Sequence, residues 1–362
     1  MRFLPDADQR AFAGSLHAML TAADTPAVIR DWSDGDSRRG RALWRRVAEA
    51  GVFGLAVPEE QDGLGRHPVE LTLAFVELGR HAVPGPLVET VAAAVLLAEA
   101  PLAKRFLPGL LAGADLATLA APAPLPLDTG PARVTPDADT AAVPLPLDTD
   151  PARVTPDADT AAVPLALDAD AADLRLALAP DGLHLASPVG QVRRSLDPAR
   201  RLTPLTPDGE LLAAHPSFDL ALTWARLATA AQALGVGLAL LDRTVDHVRR
   251  RTQFGVPIGS FQAVKHRLAD AATALEFARP LLFGAALSLR PADVAAAKLK
   301  ACEAAYTTAR AALQLHGAIG YTAEYDLSLW LTKARALRTA WGTPEECREL
   351  FLEDTLTGRA GA

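Results

Sequence analysis

Cysteine, methionine and tyrosine are scarce in this chain of 362 residues, at two, two and three respectively. The cysteines, Cys302 and Cys347, belong to no CxxC and no His/Cys cluster. Neither a disulfide framework nor a structural zinc site is therefore expected, and no other metal-ligand set is read. An excess of basic charge is missing too. Lys and Arg total 36 against 43 Asp and Glu, a net charge of -7, which argues against a nucleic-acid binder. No uninterrupted apolar run reaches the ~18 residues of a membrane span. Residues 1–20 carry Asp6, Asp8 and Arg10 where a signal peptide would be apolar. The cytoplasm is the default expectation. What the chain does have is apolar surface: 50% of its residues are hydrophobic, enough for two or three packed layers.

Three regions separate by pattern. Residues 1–115 carry apolar side chains at helical spacing, as in Trp44, Val47 and Ala48 or Leu71, Phe75 and Leu78. Breaks are expected at Val57-Pro58, at Asp62-Gly63-Leu64-Gly65 and at Val83-Pro84-Gly85-Pro86. Residues 116–215 change texture. Leu174, Leu176 and Leu178 alternate before Pro180-Asp181-Gly182, and Leu183 and Leu185 alternate after it, which predicts a β-hairpin. A tandem duplication occupies about 124–163, where Pro131 through Asp139 recurs as Pro151 through Asp159. Two copies are too few for a solenoid, so the segment is read as an added loop or hairpin without a function.

Residues 216–362 are helical. Leu220, Trp224, Leu227, Ala231, Leu234, Leu238, Leu241, Val245 and Val248 alternate steps of four and three, predicting a long helix with a partner on that face. A second helix runs from about Phe261 and is expected to break near Pro280. A third follows Pro291 to Gly317, and a fourth starts near Pro344. The fold class is thus mostly α with a small β domain: an N-terminal helical domain, a middle β domain and a C-terminal four-helix bundle.

Two stretches of the last region carry a resemblance. Arg251-Thr252-Gln253-Phe254-Gly255 is followed by Ile258-Gly259-Ser260-Phe261-Gln262, and Gln314-Leu315-His316-Gly317-Ala318-Ile319-Gly320-Tyr321 by Glu324-Tyr325. Together with Leu43-Trp44, the Gly51–Leu55 turn, Val57-Pro58-Glu59-Glu60 and Glu77-Leu78-Gly79-Arg80, they resemble the acyl-CoA dehydrogenase family of FAD-dependent flavoproteins. The likeness covers nearly the whole chain apart from the duplicated insert. It implies FAD lying extended across a subunit interface, with Arg251 on the diphosphate, Phe254 packed on the cofactor and Gln262 nearby. By the same likeness Gln314 reaches FAD from the neighbouring subunit, Gly317 admits close backbone approach, and Thr343 contacts the flavin. Arg226 matches an arginine beside the substrate, although an ordinary surface charge remains open there. Arg251 also fits a solvated helix terminus, Gly317 a helix C-cap, and His316 a structural role.

The family's chemistry needs a carboxylate to take the α-proton of an acyl thioester while the β-hydride leaves for flavin. The resemblance puts that base at Trp341, within Ala340-Trp341-Gly342-Thr343, or at Ala225 in members that carry it on the first bundle helix. Neither residue can accept a proton, so the catalytic residue is unknown. Asp219 and Glu324 are the nearest carboxylates in sequence. The resemblance also breaks at Ala117–Pro122, where the family's Thr-Glu-Pro…Gly-Ser-Asp stretch that helps hold the flavin ring is missing, while Ser195-Leu196-Asp197-Pro198-Ala199-Arg200 resembles the family's β-domain tail. Three readings follow. The first is an oxidoreductase subunit whose base comes from a partner chain, in a homo- or hetero-oligomer (dimer or tetramer) acting on acyl-CoA with an electron-transfer partner. The second is a self-sufficient flavoenzyme with an unconventional base. The third is a non-enzymatic helical scaffold that lost flavin.

Overall fold

The structure, a computed structural model, describes residues 4–99, 101–121 and 164–360. The duplicated insert lies outside the described residues. Six helices come first: α1 (Ala7–Thr21), α2 (Thr25–Ser33), α3 (Arg38–Glu49), α4 (Pro68–Arg80), α5 (Leu87–Leu96) and α6 (Leu102–Leu111). All three breaks expected from Pro and Gly fall between helices. α1 opens on a capping box in which Asp6 and Gln9 exchange side-chain and backbone hydrogen bonds.

The strands β1 (Ala117–Ala120), β2 (Leu165–Leu167), β3 (Leu174–Ala179), β4 (Gly182–Leu185), β5 (Ser187–Pro188), β6 (Arg193–Arg194), β7 (Arg201–Thr206) and β8 (Leu211–Ala213) form two small sheets. One runs β1-β3-β4-β8; the other runs β2-β7-β5, with β6 also on β7. The alternating leucines make the expected antiparallel hairpin, with Leu178 opposite Leu183 and Ala179 opposite Gly182. Gly182 takes φ of 143°, a turn conformation that a side chain would resist.

The remaining chain holds α7 (Phe218–Arg250), the short hairpin β9 (Thr252–Gln253) and β10 (Val256–Pro257), then α8 (Gln262–Ser288), α9 (Pro291–His316), α10 (Leu327–Thr339) and α11 (Pro344–Ala360). Three features differ from expectation. The helix through Pro280 does not break: Pro280 sits inside α8. Its missing N–H and ring clash cost ~3 kcal/mol in a helix interior. Buried Leu275, Ala278, Leu282 and Phe283 pack on both sides of it and hold the helix through. A fifth helix, α10, joins the four foreseen. Finally, α7 has no solvent face over its middle, because every residue from Thr223 to Leu240 is buried. Its most apolar window would suit a membrane span by length and composition, but 89% of that window is buried inside the fold. It is the core helix.

The second face of α7 meets α4 and α5. Gly79 of α4 and Gly235 of α7 allow the closest approach: a Cβ on Gly79 would strike the Gln232 carbonyl, and one on Gly235 the Val76 carbonyl. Each glycine faces the other helix's backbone. The sheets are tied to the helices by two ion pairs and a side-chain hydrogen bond to backbone. Arg41 of α3 forks onto Asp173 at 2.9 and 3.0 Å, Arg201 of β7 donates to the Trp32 carbonyl at 2.7 Å, and buried Lys333 of α10 pairs with buried Asp197 at 3.3 Å.

Because the α4–α7 crossing has no room for a methyl group, Gly235→Ala should destabilise the protein by about 1–3 kcal/mol through overpacking. The readout is a lowered urea midpoint. Gly14→Ala, on α1 with open space around it, should be neutral or stabilising by up to about 1 kcal/mol.

Candidate active site

A cavity of about 270 Å³ lies where the two halves of the fold meet the strands. Its walls come from α5, β1, β2, the Arg200–Leu202 stretch, the first turns of α7 and the loop joining α10 to α11. Leu119, Leu165, Leu167, Leu202 and Leu222 make it largely apolar. Two carboxyls line it, Glu89 and Glu346.

Glu346 is committed to helix geometry. It accepts from the Thr343 N–H at 2.7 Å, while the Thr343 hydroxyl accepts from the Glu346 N–H at 3.2 Å, a capping box opening α11. Glu89 is different. It sits on α5, otherwise an apolar helix, with 5% of its surface exposed. Its Oε1 accepts from the Trp341 indole N–H at 3.1 Å. Burial pushes its pKa up, since charge is disfavoured away from water; Arg200, the Trp341 hydrogen bond and Lys333 oppose that shift. Sequence position alone gave no reason to connect Glu89 with Trp341, 252 residues away. The available signal was a single carboxylate in the apolar run Leu87–Leu96.

Trp341 adopts φ of 59°, a left-handed conformation that costs a bulky residue roughly 1–3 kcal/mol and persists only where its surroundings over-determine it. Three hydrogen bonds from two cations do so here. Arg226 Nε donates to the Trp341 carbonyl at 3.0 Å. Lys298 Nζ donates to the Gly342 carbonyl at 2.6 Å and the Arg338 carbonyl at 3.3 Å. Both cations are buried, at 7% and 1% exposure. Arg226 is thus no surface charge; it braces the loop from behind. The indole therefore stands in the cavity wall by construction, with its N–H donated to Glu89, at the position the resemblance implied for the base. The alternative position, Ala225, is fully buried. Asp219 and Glu324 do not line the cavity.

The other expected residues lie elsewhere. Arg251 caps the far end of α7, and its guanidinium donates to the His316 carbonyl at 3.3 Å. From Arg226 to Arg251 along α7 is roughly 37 Å at 1.5 Å per residue. Around Arg251 the β9–β10 hairpin turns through Phe254 and Gly255, at φ of 55° and 79°, the left-handed pair of a type I′ turn. This strained turn carries Phe254 outward, 92% exposed. Gln262 opens α8 and Gln314 lies near the end of α9, both exposed. Gly317 is the C-cap of α9 at φ of 65°, and nothing lies within 4 Å of where its Cβ would be. This end suits a diphosphate: guanidinium N–H groups beyond the one spent on His316, an open glycine and two side-chain amides. His316 is buried, its Nδ1 within 2.8 Å of the Ala312 carbonyl, which is a structural placement. At the cavity end Thr118, the hydroxyl within Ala117–Pro122, is spent on the Leu167 carbonyl at 2.6 Å.

Raising the pH should ionise Glu89 against its burial. Its folded-state affinity for a proton exceeds the ordinary pKa of 4.5, so wild-type stability falls as pH climbs from that value toward the folded one, at up to about 1.4 kcal/mol per unit. Glu89→Gln removes the effect. Urea melts across pH should show the variant gaining on the wild type as pH rises; parallel curves would refute it.

Comparison with known proteins gives a consistent result. Residues 6–114 match the acyl-CoA dehydrogenase N-terminal domain model and residues 217–355 the C-terminal domain model. The chain is 30% identical over 348 residues to the acyl-CoA dehydrogenase IpdE2 of Mycobacterium tuberculosis, covering 94% of this chain and 95% of that protein. Among solved structures, the ChsE4-ChsE5 complex from Mycobacterium tuberculosis superposes with a TM-score of 0.77 at 22% identity, covering 98% of this chain and 99% of that one. A glutaryl-CoA dehydrogenase from Mycobacterium smegmatis in complex with FADH2 superposes at 0.74 with 19% identity, covering 99% and 96%.

Proposed function

The chain belongs to the acyl-CoA dehydrogenase family, and from that premise we propose that it is a FAD-binding subunit whose catalytic base comes from a related partner chain. The reaction is α,β-dehydrogenation of an acyl thioester, in which a carboxylate takes the α-proton and a double bond remains. Bound FAD would supply the acceptor for the β-hydride, and an electron-transfer partner would regenerate it. The cytoplasm is its place on this reading.

The observation carrying this reading is the separation of two half-sites by the length of α7. At one end Arg251, Phe254, Gln262, Gln314 and Gly317 make an exposed surface fit for the diphosphate arm. At the other, Thr343 lines a cavity whose wall holds Trp341, hydrogen-bonded to Glu89 and braced from behind by Arg226. A single FAD engaging both kinds of surface draws them from two chains. The Arg251 end then serves a cavity in the partner, and that cavity brings the carboxylate. The guanidinium of Arg251 holds the diphosphate by paired, charge-assisted hydrogen bonds, while the left-handed turn at Phe254 and Gly255 sets an aromatic face beside it. Two-chain naming of the ChsE4-ChsE5 structure supports the same arrangement.

Glu89 supports the second reading, a self-sufficient enzyme. It is a buried carboxyl in the cavity wall with raised proton affinity, the usual preparation of a general base.

Purifying the chain alone and again with a co-expressed dehydrogenase-like chain separates the two. Flavin absorbance and acyl-CoA turnover should appear only with the partner, and Glu89→Gln should leave that turnover within about twofold. Arg251→Met should weaken FAD retention by the complex about tenfold or more, from the loss of a charged hydrogen bond worth ~1.5–3 kcal/mol. Stoichiometric flavin and turnover on the chain alone, lost ~10²-fold or more in Glu89→Gln, would establish the second reading instead.

A further inference from the structure

At the opposite side of α4 from the core, three potential ligand atoms converge. His17 of α1 places Nδ1 at 2.8 Å from Glu77 Oε2 of α4. His81, the C-cap of α4, places Nε2 at 3.3 Å from the same Nδ1. All three atoms lie within 4.8 Å of one another. Glu77 and His81 are four residues apart, so one turn of helix sets them on a common face. His17 is brought across by the packing of α1 on α4, which the Gln9–Glu70 hydrogen bond at 2.9 Å fixes at the other end of the pair.

His17 Nδ1 stands against both Glu77 Oε2 and His81 Nε2, and with one hydrogen at most it can donate to only one of them. A cation bound by all three atoms would engage every one of them at once. We infer that His17, Glu77 and His81 form a binding site for a divalent transition metal, with two imidazoles and one carboxylate as ligands.

The chemistry and spacing agree. Zn²⁺ takes imidazole nitrogen at ~2.0–2.1 Å and carboxylate oxygen at ~2.0–2.2 Å, in tetrahedral sites that put neighbouring ligand atoms about 3.3–3.4 Å apart. The His17–His81 separation of 3.3 Å already fits, and the His17–Glu77 separation needs to open by about half an ångström to reach that spacing. Half of the His17 side chain is exposed and 15% of Glu77, which leaves a solvent-facing position for a water ligand. Two cations are near enough to oppose binding, and both are engaged: Arg80 on Asp242 at 2.7 Å, Arg243 over the Trp330 ring at 3.7 Å. The bound ion would clip α1 to α4, tying the first helix to the body of the fold. The sequence hides such a site, because its ligands come from segments 60 residues apart and include only an E-x-x-x-H spacing.

The test uses the full chain, stripped with a chelator and titrated with Zn²⁺ alone by calorimetry, with thermal melts alongside. One equivalent should bind and raise the melting temperature. His81→Ala and His17→Ala should each weaken that binding at least tenfold and abolish the melting shift, while His215→Ala, at an exposed histidine on neither α1 nor α4, should leave both unchanged. Far-ultraviolet circular dichroism confirms that each variant folds, as the half-exposed His17 position permits. No stoichiometric uptake by the wild type, or equal uptake by His81→Ala, would overturn the site.

Discussion

The reciprocal glycine contact between α4 and α7 is the constraint on which the rest of this structure depends. Gly79 and Gly235 let two helices meet backbone to backbone, which is why α7 can be buried on every side and not only along its leucine stripe. Once α7 is sheathed by α4 and α5 on one side and by α8, α9 and α10 on the other, its first turns are held against the strands. The cavity is the space left at that junction. The α4–α7 crossing thus positions a site that neither glycine touches.

Within the cavity wall the cost is concentrated at Trp341. A left-handed tryptophan is maintained by two buried cations bonded to main-chain carbonyls and by a carboxyl bonded to its indole. Buried cations are themselves expensive unless their hydrogen bonds are met. Here Arg226 and Lys298 donate to main-chain carbonyls in and beside the strained loop, so the same hydrogen bonds offset part of both the strain and the desolvation. The same apparatus would hold any side chain at position 341 toward the cavity. What this chain holds there is a donor, and that choice separates the architecture, which is retained, from the proton chemistry, which is not carried by that residue.

Much was readable in one dimension. The order of helices, strands and helices followed from Pro and Gly breaks and from the switch between alternating and helical periods. The hairpin at Pro180-Asp181-Gly182 and the long α7 came from the same signals. Two elements were misjudged. Pro280 signals a break locally, yet the packing of Leu275 and Leu282 outweighs the lost hydrogen bond; α10 buries Leu327, Trp330, Ala334 and Leu337 at helical spacing, a stripe short enough to pass unread between the two flanking helices. Arg226 could not be told from a surface charge because the stripe at steps of three and four marks only one face of α7. The second face, Thr223, Arg226, Thr229 and Gln232, is polar in sequence and buried in fact.

Chemistry divides along the same line. Sequence by itself determined the family and the absence of a carboxylate at positions 225 and 341, because those depend on identity and local spacing. Tertiary structure decided which distant groups meet: Glu89 with Trp341, Lys298 with the loop before α11, His17 with Glu77 and His81. It also decided that Arg226 and Arg251 stand at opposite ends of one helix, which makes a shared site the economical reading of the fold. The physical reason is that proton affinity, strain and hydrogen-bond demand are properties of surroundings, and surroundings exist only after the chain has folded.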